Sequence, residues 1–323
     1  MVDLPDLSAA AGASALLCDR AIFTSLPSVI GEGYRLVAWS DGLRAEERVE
    51  LTRRAPSHGA LCGDAGSSRG LILLRLQSSA RVACGFVRVA GAEHTRRGGG
   101  RVWTDFLVAG AAEAGREGLH PRELCAALAA EPAPKPPLGS AALARVGVAP
   151  SGAGSPAARD ARAVAMAAVA ASLLVEGRAC VVAAGSAPVD VFEDALRMIP
   201  ASLRGGIEAS AGLRFSPVRG VKVTLTDSID RDTVRATRGQ GVDCIDVEAR
   251  PPAVVGALAP RLRLMSRWWN ENRGGEAVEL ADKLCGGWSV KEILEVASLC
   301  EAIDRREQSP EALDELLKRR AAA

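Results

Sequence analysis

Short runs rich in β-branched and aromatic residues dominate the first part of the chain, and their spacing predicts strands. These runs occupy residues 20–25, 34–40, 71–77, 81–89 and 101–108. One helical stretch interrupts them, opening at Asp41 or Gly42 and ending at Pro56. Its glutamates lie in its first half, where a helix dipole favours negative charge. Residues 71–77 and 81–89, separated by three small residues, are predicted to pair as a hairpin.

Helical and strand-like patterns are mixed in the second part of the chain. Helices are predicted at 157–175 and 189–199, and strands at 178–184, 207–211, 213–216, 221–227 and 241–247. After residue 251 the pattern is helical, with pieces at 254–265 and 277–284. Ser289 and Glu292 have the spacing of a capping box, and Pro310 opens a last helix at its first turn.

These patterns predict an α+β fold with three regions. Residues 18–130 are expected to form an antiparallel-sheet domain with flanking helices, including a helix at 121–130, and residues 157–250 an α/β middle domain. Residues 251–323 are expected to form a helical C-terminal region. Four prolines between 132 and 137 predict a stiff linker over residues 131–156, and residues 1–17 are expected to be a loose tail.

Composition excludes several classes of protein. Hydrophobic residues make up 48% and charged residues 24%, as in globular proteins, and the net charge of +1 gives no reason to expect nucleic-acid or membrane binding. The eight cysteines contain no CxxC pair, the N-terminus lacks a positive signal-peptide start, and the apolar run 163–175 is too short to span a bilayer. We therefore expect a cytoplasmic protein with reduced thiols.

Common catalytic motifs are absent from the sequence. It contains no GxxxxGK[ST], no GxGxxG after a strand, no HExxH and no GxSxG, so no cofactor or metal is expected. His58, Cys62, Cys84 and His94 nevertheless suggest two alternatives, a zinc site or a Cys/His nucleophile pair. Buried thiols with loop histidines are the favoured interpretation.

Two Arg/His segments flank the predicted hairpin, and pairing of its strands brings them to neighbouring strand ends. Exposed backbone N–H groups beside guanidinium groups suit an anion or a polar partner, although a solvated hairpin loop has the same appearance. The candidate partner- or anion-binding residues are Arg53, Arg54, Ser57, His58, His94, Arg96, Arg97, Gly98, Gly99, Gly100, Arg101 and Trp103.

A second aromatic cluster is Trp268–Trp269. Two adjacent tryptophans cannot both enter the same face of a helix, so one is a candidate interface anchor. Packing of both in the core is the alternative and the favoured interpretation.

Several segments together resemble a bacterial family, the GTPase-associated proteins. The resemblance rests on residues 21–25, 31–38, 47–62 and 91–104, and on 203–227, which contains GLRFSP before a strand. It spans residues 18 to about 227. It implies an adaptor or regulator of a GTPase on another chain, in a multi-component signalling or conflict system. It also makes Arg54, Arg96 and Arg97 candidates for an arginine supplied in trans.

Three functional hypotheses follow. The first is a non-enzymatic adaptor that binds a GTPase. The second is a hydrolase or transferase that uses His58, Cys62 or His94. The third is a scaffold for a larger assembly, in which the Trp268–Trp269 region docks a third component.

Overall fold

In a computed structural model of the chain, one mixed sheet connects the first and middle regions. The structure describes residues 15–26, 33–63, 69–93, 99–116, 124, 127–128, 143–148, 161–247, 253–254, 256, 258–273, 275 and 289–321. The strands are β1 (Leu16–Ser25), β2 (Tyr34–Trp39), β3 (Arg69–Leu76), β4 (Arg81–Ala92), β5 (Gly100–Gly110), β6 (Val146–Val148), β7 (Cys180–Ala183), β8 (Ala209–Ala211), β9 (Val223–Thr226) and β10 (Asp243–Asp246).

The helices fall mostly in the second half. They are α1 (Ala45–Arg54), α2 (Ala111–Arg116), α3 (Ala161–Glu176), α4 (Pro188–Met198), α5 (Ala201–Arg204), α6 (Arg231–Thr237), α7 (Ala259–Asn270), α8 (Val290–Asp304) and α9 (Pro310–Ala321). Among the described residues, no helix is long and apolar enough to cross a membrane.

The strand order is β10-β7-β9-β8-β3-β4-β5-β1-β2, with β6 paired to the start of β1. The strands from β10 to β8 are parallel, and those from β3 to β2 are antiparallel. β3 pairs antiparallel with β8, where Ile72 lies opposite Ser210. The predicted α+β fold is confirmed, and the first and middle regions share one sheet.

Alternation along the strands produces two apolar layers, one on each face of the sheet. In β3, Leu71 faces the larger layer, which also receives α3, α4, α7 and α8. Ile72 and Leu74 face the opposite layer, which Leu51 of α1 closes. The three predicted regions therefore contribute to a common core.

The predicted elements differ from the observed ones at several points. β1 begins at Leu16, inside the predicted tail, because it pairs with β6, which lies inside the predicted linker. The predicted strand 213–216 is reduced to one bridge between Leu61 and Leu213, because a 3₁₀ turn starts at Pro217. Most of the helix predicted at 121–130 and all of the piece at 277–284 lie outside the described residues.

Helix ends follow the predicted chemistry. Ser289 Oγ accepts the N–H of Glu292 at 3.3 Å, and Glu292 Oε2 accepts the N–H of Ser289 at 2.7 Å, which completes the predicted capping box. α7 starts at Ala259, later than predicted, with Pro260 in its first turn. α6, which was not predicted, is capped by Asp230, whose carboxylate accepts the N–H of Thr233 at 2.7 Å.

Candidate partner-binding surface

The hairpin brings the segment after α1 close to Glu93, directly after β4, and to Gly99, directly before β5. β3 and β4 are antiparallel, with Arg69 opposite Arg88, so the start of one strand adjoins the end of the other. His58 Nδ1 lies 3.8 Å from Glu93 Oε2. A Cβ built on Gly99 would lie 3.7 Å from His58 Cε1.

We use the name His58 surface for the residues that this arrangement gathers at the end of the hairpin. Ser57 is exposed, His58 and Arg101 are half-buried, and Gly99 lies beside the His58 ring. The His58 surface comprises Ser57, His58, Glu93, Gly99, Gly100 and Arg101.

A buried carboxylate lies beneath this surface. The side chain of Glu93 is fully buried, and Tyr34 Oη donates a hydrogen bond to Glu93 Oε2 at 2.5 Å. The same phenol oxygen accepts the N–H of Val102 at 3.1 Å. Burial, together with the bond to Glu93, raises the pKa of Tyr34 to about 12. Glu93 is therefore held by a neutral phenol and faces the imidazole of His58.

Backbone contacts join the described residues at this site. The N–H of Glu93 donates to the carbonyl of Gly99 at 2.9 Å. Gly99 has φ +79°, a left-handed conformation that favours glycine. Arg101 Nε donates to the carbonyl of Ala90 at 3.0 Å, which aligns its half-buried side chain along β4.

Arg53 and Arg54, although adjacent, have opposite environments. Arg53 is exposed at the end of α1. Arg54 is 4% exposed and pairs with Glu50 at 3.0 Å and with Glu208 at 2.8 Å. Its Nε also donates to the carbonyl of Arg219 at 2.7 Å. Arg53 is therefore the one of the two that is open to a partner, whereas Arg54 joins α1 to the middle region.

Trp103 belongs to the core. It is 5% exposed, and its Nε1 donates to Asp105 Oδ2 at 2.8 Å. Asp105 Oδ1 accepts two hydrogen bonds from the guanidinium of Arg20. The guanidinium of the exposed Arg88 side chain lies 5.7 Å from the Trp103 ring centroid. The indole therefore packs under Arg88 and is not offered to a partner.

Four of the candidate residues, His94, Arg96, Arg97 and Gly98, lie outside the described residues. Their segment begins directly after Glu93 and ends directly before Gly99. The described residues on either side of it, Glu93 and Gly99, belong to the His58 surface.

The Cys/His alternatives gain no support from the geometry. Cys62 is buried, its Sγ lies 3.1 Å from Thr226 Oγ1, and burial raises the pKa of its thiol. Cys84 is also buried. Burial likewise raises the pKa of Cys18 and Cys300 to about 11 and that of Cys180 to about 12. In the part of the chain that the structure describes, no group of three or more His, Cys, Asp or Glu side chains is placed to hold a metal ion.

Trp268 and Trp269 are both buried, at 6% and 5% exposure. Both can be buried because α7 is covered on more than one side, by α3 and by α8. The Arg273 guanidinium lies 4.8 Å from the Trp268 ring centroid. Neither side chain is presented as an interface anchor.

The sequence patterns missed Tyr34 and Glu93. Tyr34 is the only tyrosine in the chain, and Glu93 directly precedes His94. Neither belongs to a catalytic or basic motif, so only their convergence on His58 reveals them.

Comparison with known proteins gives one match. Residues 18–146 match the family model of GTPase-associated protein 1, N-terminal domain type 2. The matched range contains the whole His58 surface. No curated protein matches the chain, and no solved structure does.

Proposed function

We propose that this chain, which carries at residues 18–146 a domain of the GTPase-associated protein family, binds a GTPase on a separate chain. In this proposal it is a non-enzymatic adaptor or regulator within a bacterial multi-component signalling or conflict system. The His58 surface, together with the neighbouring Arg53, is the part that contacts the GTPase.

One observation carries the proposal: an ordered polar surface lies inside the family-matched domain. Tyr34 and Glu93 hold the base of this surface, so little side-chain entropy is lost there on binding. Arg101 belongs to this surface and Arg53 is exposed five residues before His58 in the sequence, and arginine is enriched in protein interfaces. A surface of this kind suits recognition of acidic and carbonyl groups on a folded partner.

An adaptor fits the chemistry better than a hydrolase. The chain has no phosphate-binding loop of the usual kinds. The described thiol nearest in sequence to His58 is Cys62, and its raised pKa opposes formation of the nucleophilic thiolate. Arg54 is unsuited to reach a nucleotide in trans, because it would first have to leave Glu50 and Glu208.

The test is binding between the full chain and a GTPase encoded by a reading frame that flanks its gene. The two proteins are expected to co-elute in size exclusion, and titration calorimetry gives the Kd. The double substitution Arg53→Glu with His58→Ala is expected to weaken binding about tenfold or more, the scale of losing interface contacts worth about 1.4 kcal/mol.

Arg235→Glu is the matched control, because Arg235 is also exposed but lies on α6, outside the matched domain. The affinity of the Arg235→Glu variant for the GTPase should equal that of the unmodified chain. Separate elution of the two proteins at low salt contradicts the proposal. An equal loss of affinity for the GTPase in the double variant and in the control contradicts it as well. Measuring GTP hydrolysis with and without the chain then distinguishes a regulator from a passive adaptor.

A further inference from the structure

A cleft separate from the His58 surface lies at the carboxyl ends of the parallel strands. It has a volume of about 340 Å³, within the range of small-molecule sites, which is about 300–1,000 Å³. Its lining comes from four parts of the fold: the start of β3 with the residues before it, the loop after β7 with the first turn of α4, the end of β8 and the end of β9. The lining includes Cys62, Arg69, Ser186, Asp190, Gly212 and Asp227.

The topology accounts for the cleft. β7 and β9 are adjacent and parallel. The chain leaves β7 through α4 towards β8, on one side, and leaves β9 through α6 towards β10, on the other side. Where connections of neighbouring parallel strands leave in opposite directions, a crevice opens beyond their carboxyl ends, and open α/β sheets bind ligands there.

The end of β9 supplies a carboxylate with a fixed orientation. Asp227 directly follows β9 and is half-buried. Its Oδ1 accepts the N–H of Ser228 at 2.7 Å and the hydroxyl of Thr226 at 3.2 Å. The other oxygen, Oδ2, has no hydrogen-bond partner among the described residues, so it is available to accept hydrogen bonds from a ligand.

The end of β7 supplies a close-approach loop, and the start of β3 supplies a cation. Gly185, with φ +70°, turns the chain into α4, and without a Cβ its backbone can lie close to a ligand. Gly212, with φ +68°, turns the chain at the end of β8, where the carbonyl of Arg69 approaches it closely. Across the cleft, Arg69 pairs with Asp190 but keeps 60% of its side chain exposed, which leaves guanidinium N–H groups for an acceptor on the ligand.

We propose that this cleft binds a ribose-bearing molecule of nucleoside size. Asp227 Oδ2 accepts hydrogen bonds from the vicinal 2′ and 3′ hydroxyls, as a carboxylate at a strand end does in nucleotide-binding sheets. Arg69 and the loop after β7 face the 5′ substituent. This proposal uses no residue of the His58 surface and does not depend on GTPase binding.

The test is calorimetric titration of the full chain with adenosine, guanosine and their 5′-monophosphates, each beside its 2′-deoxy counterpart. At least one ribo compound is expected to bind, and its deoxy counterpart about tenfold or more weakly, because a hydrogen bond to a charged group is lost. The monophosphate arms show whether the 5′ substituent is a hydroxyl or a phosphate. No binding by any of these compounds, or equal binding of ribo and deoxy forms, overturns the proposal.

Asp227→Asn is the matched protein variant, since it keeps the volume and an acceptor for Ser228 but removes the charge. It is expected to lose the preference for ribose, whereas Arg53→Glu on the other surface keeps it. Should Asp227→Asn fail to fold, the comparison of ribo and deoxy ligands on the unmodified chain still decides the question.

Discussion

Replacing Arg54 by alanine removes the guanidinium that joins α1 to the middle region. The side chain pairs with Glu50 and Glu208 and donates to the carbonyls of Arg75, at 2.9 Å, and Arg219, at 2.7 Å. Its neighbour Arg53 belongs to the same helix but is exposed. Arg53→Ala is therefore a control of the same residue type, one position away.

The magnitude follows from what the substitution leaves behind. Removing one partner of a buried ion pair costs about 3–5 kcal/mol, because the other charge stays buried. Glu50 retains the backbone N–H groups of Gln77 and Ser78 as donors, which places the expected loss nearer the lower end. We expect Arg54→Ala to lower the free energy of unfolding by about 3 kcal/mol and Arg53→Ala to change it by about 0.5 kcal/mol or less.

Urea denaturation followed by tryptophan fluorescence measures this difference. With a slope of about 3 kcal/mol per molar urea, the upper end for small proteins, the Arg54→Ala midpoint should fall by about 1 M. Adding Glu208→Gln to Arg54→Ala should recover part of the loss, because the unpaired carboxylate is then neutral. Equal urea midpoints for Arg54→Ala and Arg53→Ala would refute the conclusion that buried Arg54 joins α1 to the middle region.

Three further predictions concern a turn, the thiols and the single tyrosine. Gly212→Ala should destabilise the protein by about 2 kcal/mol or more relative to Gly239→Ala: both positions have positive φ, but a Cβ at Gly212 would lie 2.3 Å from a backbone carbonyl, whereas the one at Gly239 meets nothing within 4 Å. Equal unfolding midpoints of these two variants would contradict this. Iodoacetamide followed by mass spectrometry should modify Cys244, the exposed thiol among the six described, well before the buried ones; early labelling of a buried thiol would show that the core opens locally. Absorbance titration of Tyr34 should give a midpoint near pH 12 in the folded protein and near 10 in denaturant, so this group's stabilising contribution is complete below pH 10 and is lost as the pH rises towards 12. Glu93→Gln should lower the folded midpoint, and an unchanged midpoint would exclude the carboxylate as a cause.

Local patterns in the sequence were sufficient for most elements. The β-branched and aromatic runs identified the strands on either side of the 78–80 turn, and the spacing of Ser289 and Glu292 identified the start of α8. These features depend on residues a few positions apart, whose geometry is the same in any fold. The resemblance of residues 18 to about 227 to a family is likewise a property of the sequence, and the family model bears it out over residues 18–146.

Tertiary structure alone decided which of these residues can meet a partner. Arg53 and Arg54 are indistinguishable in sequence, and their environments differ because Glu208 and Arg219 approach only one of them. The pairing of β3 with β8 joins residues about 140 positions apart, and it places the cleft beside Asp227. Contacts over such separations depend on the packing of the whole chain, and no periodicity or spacing encodes them.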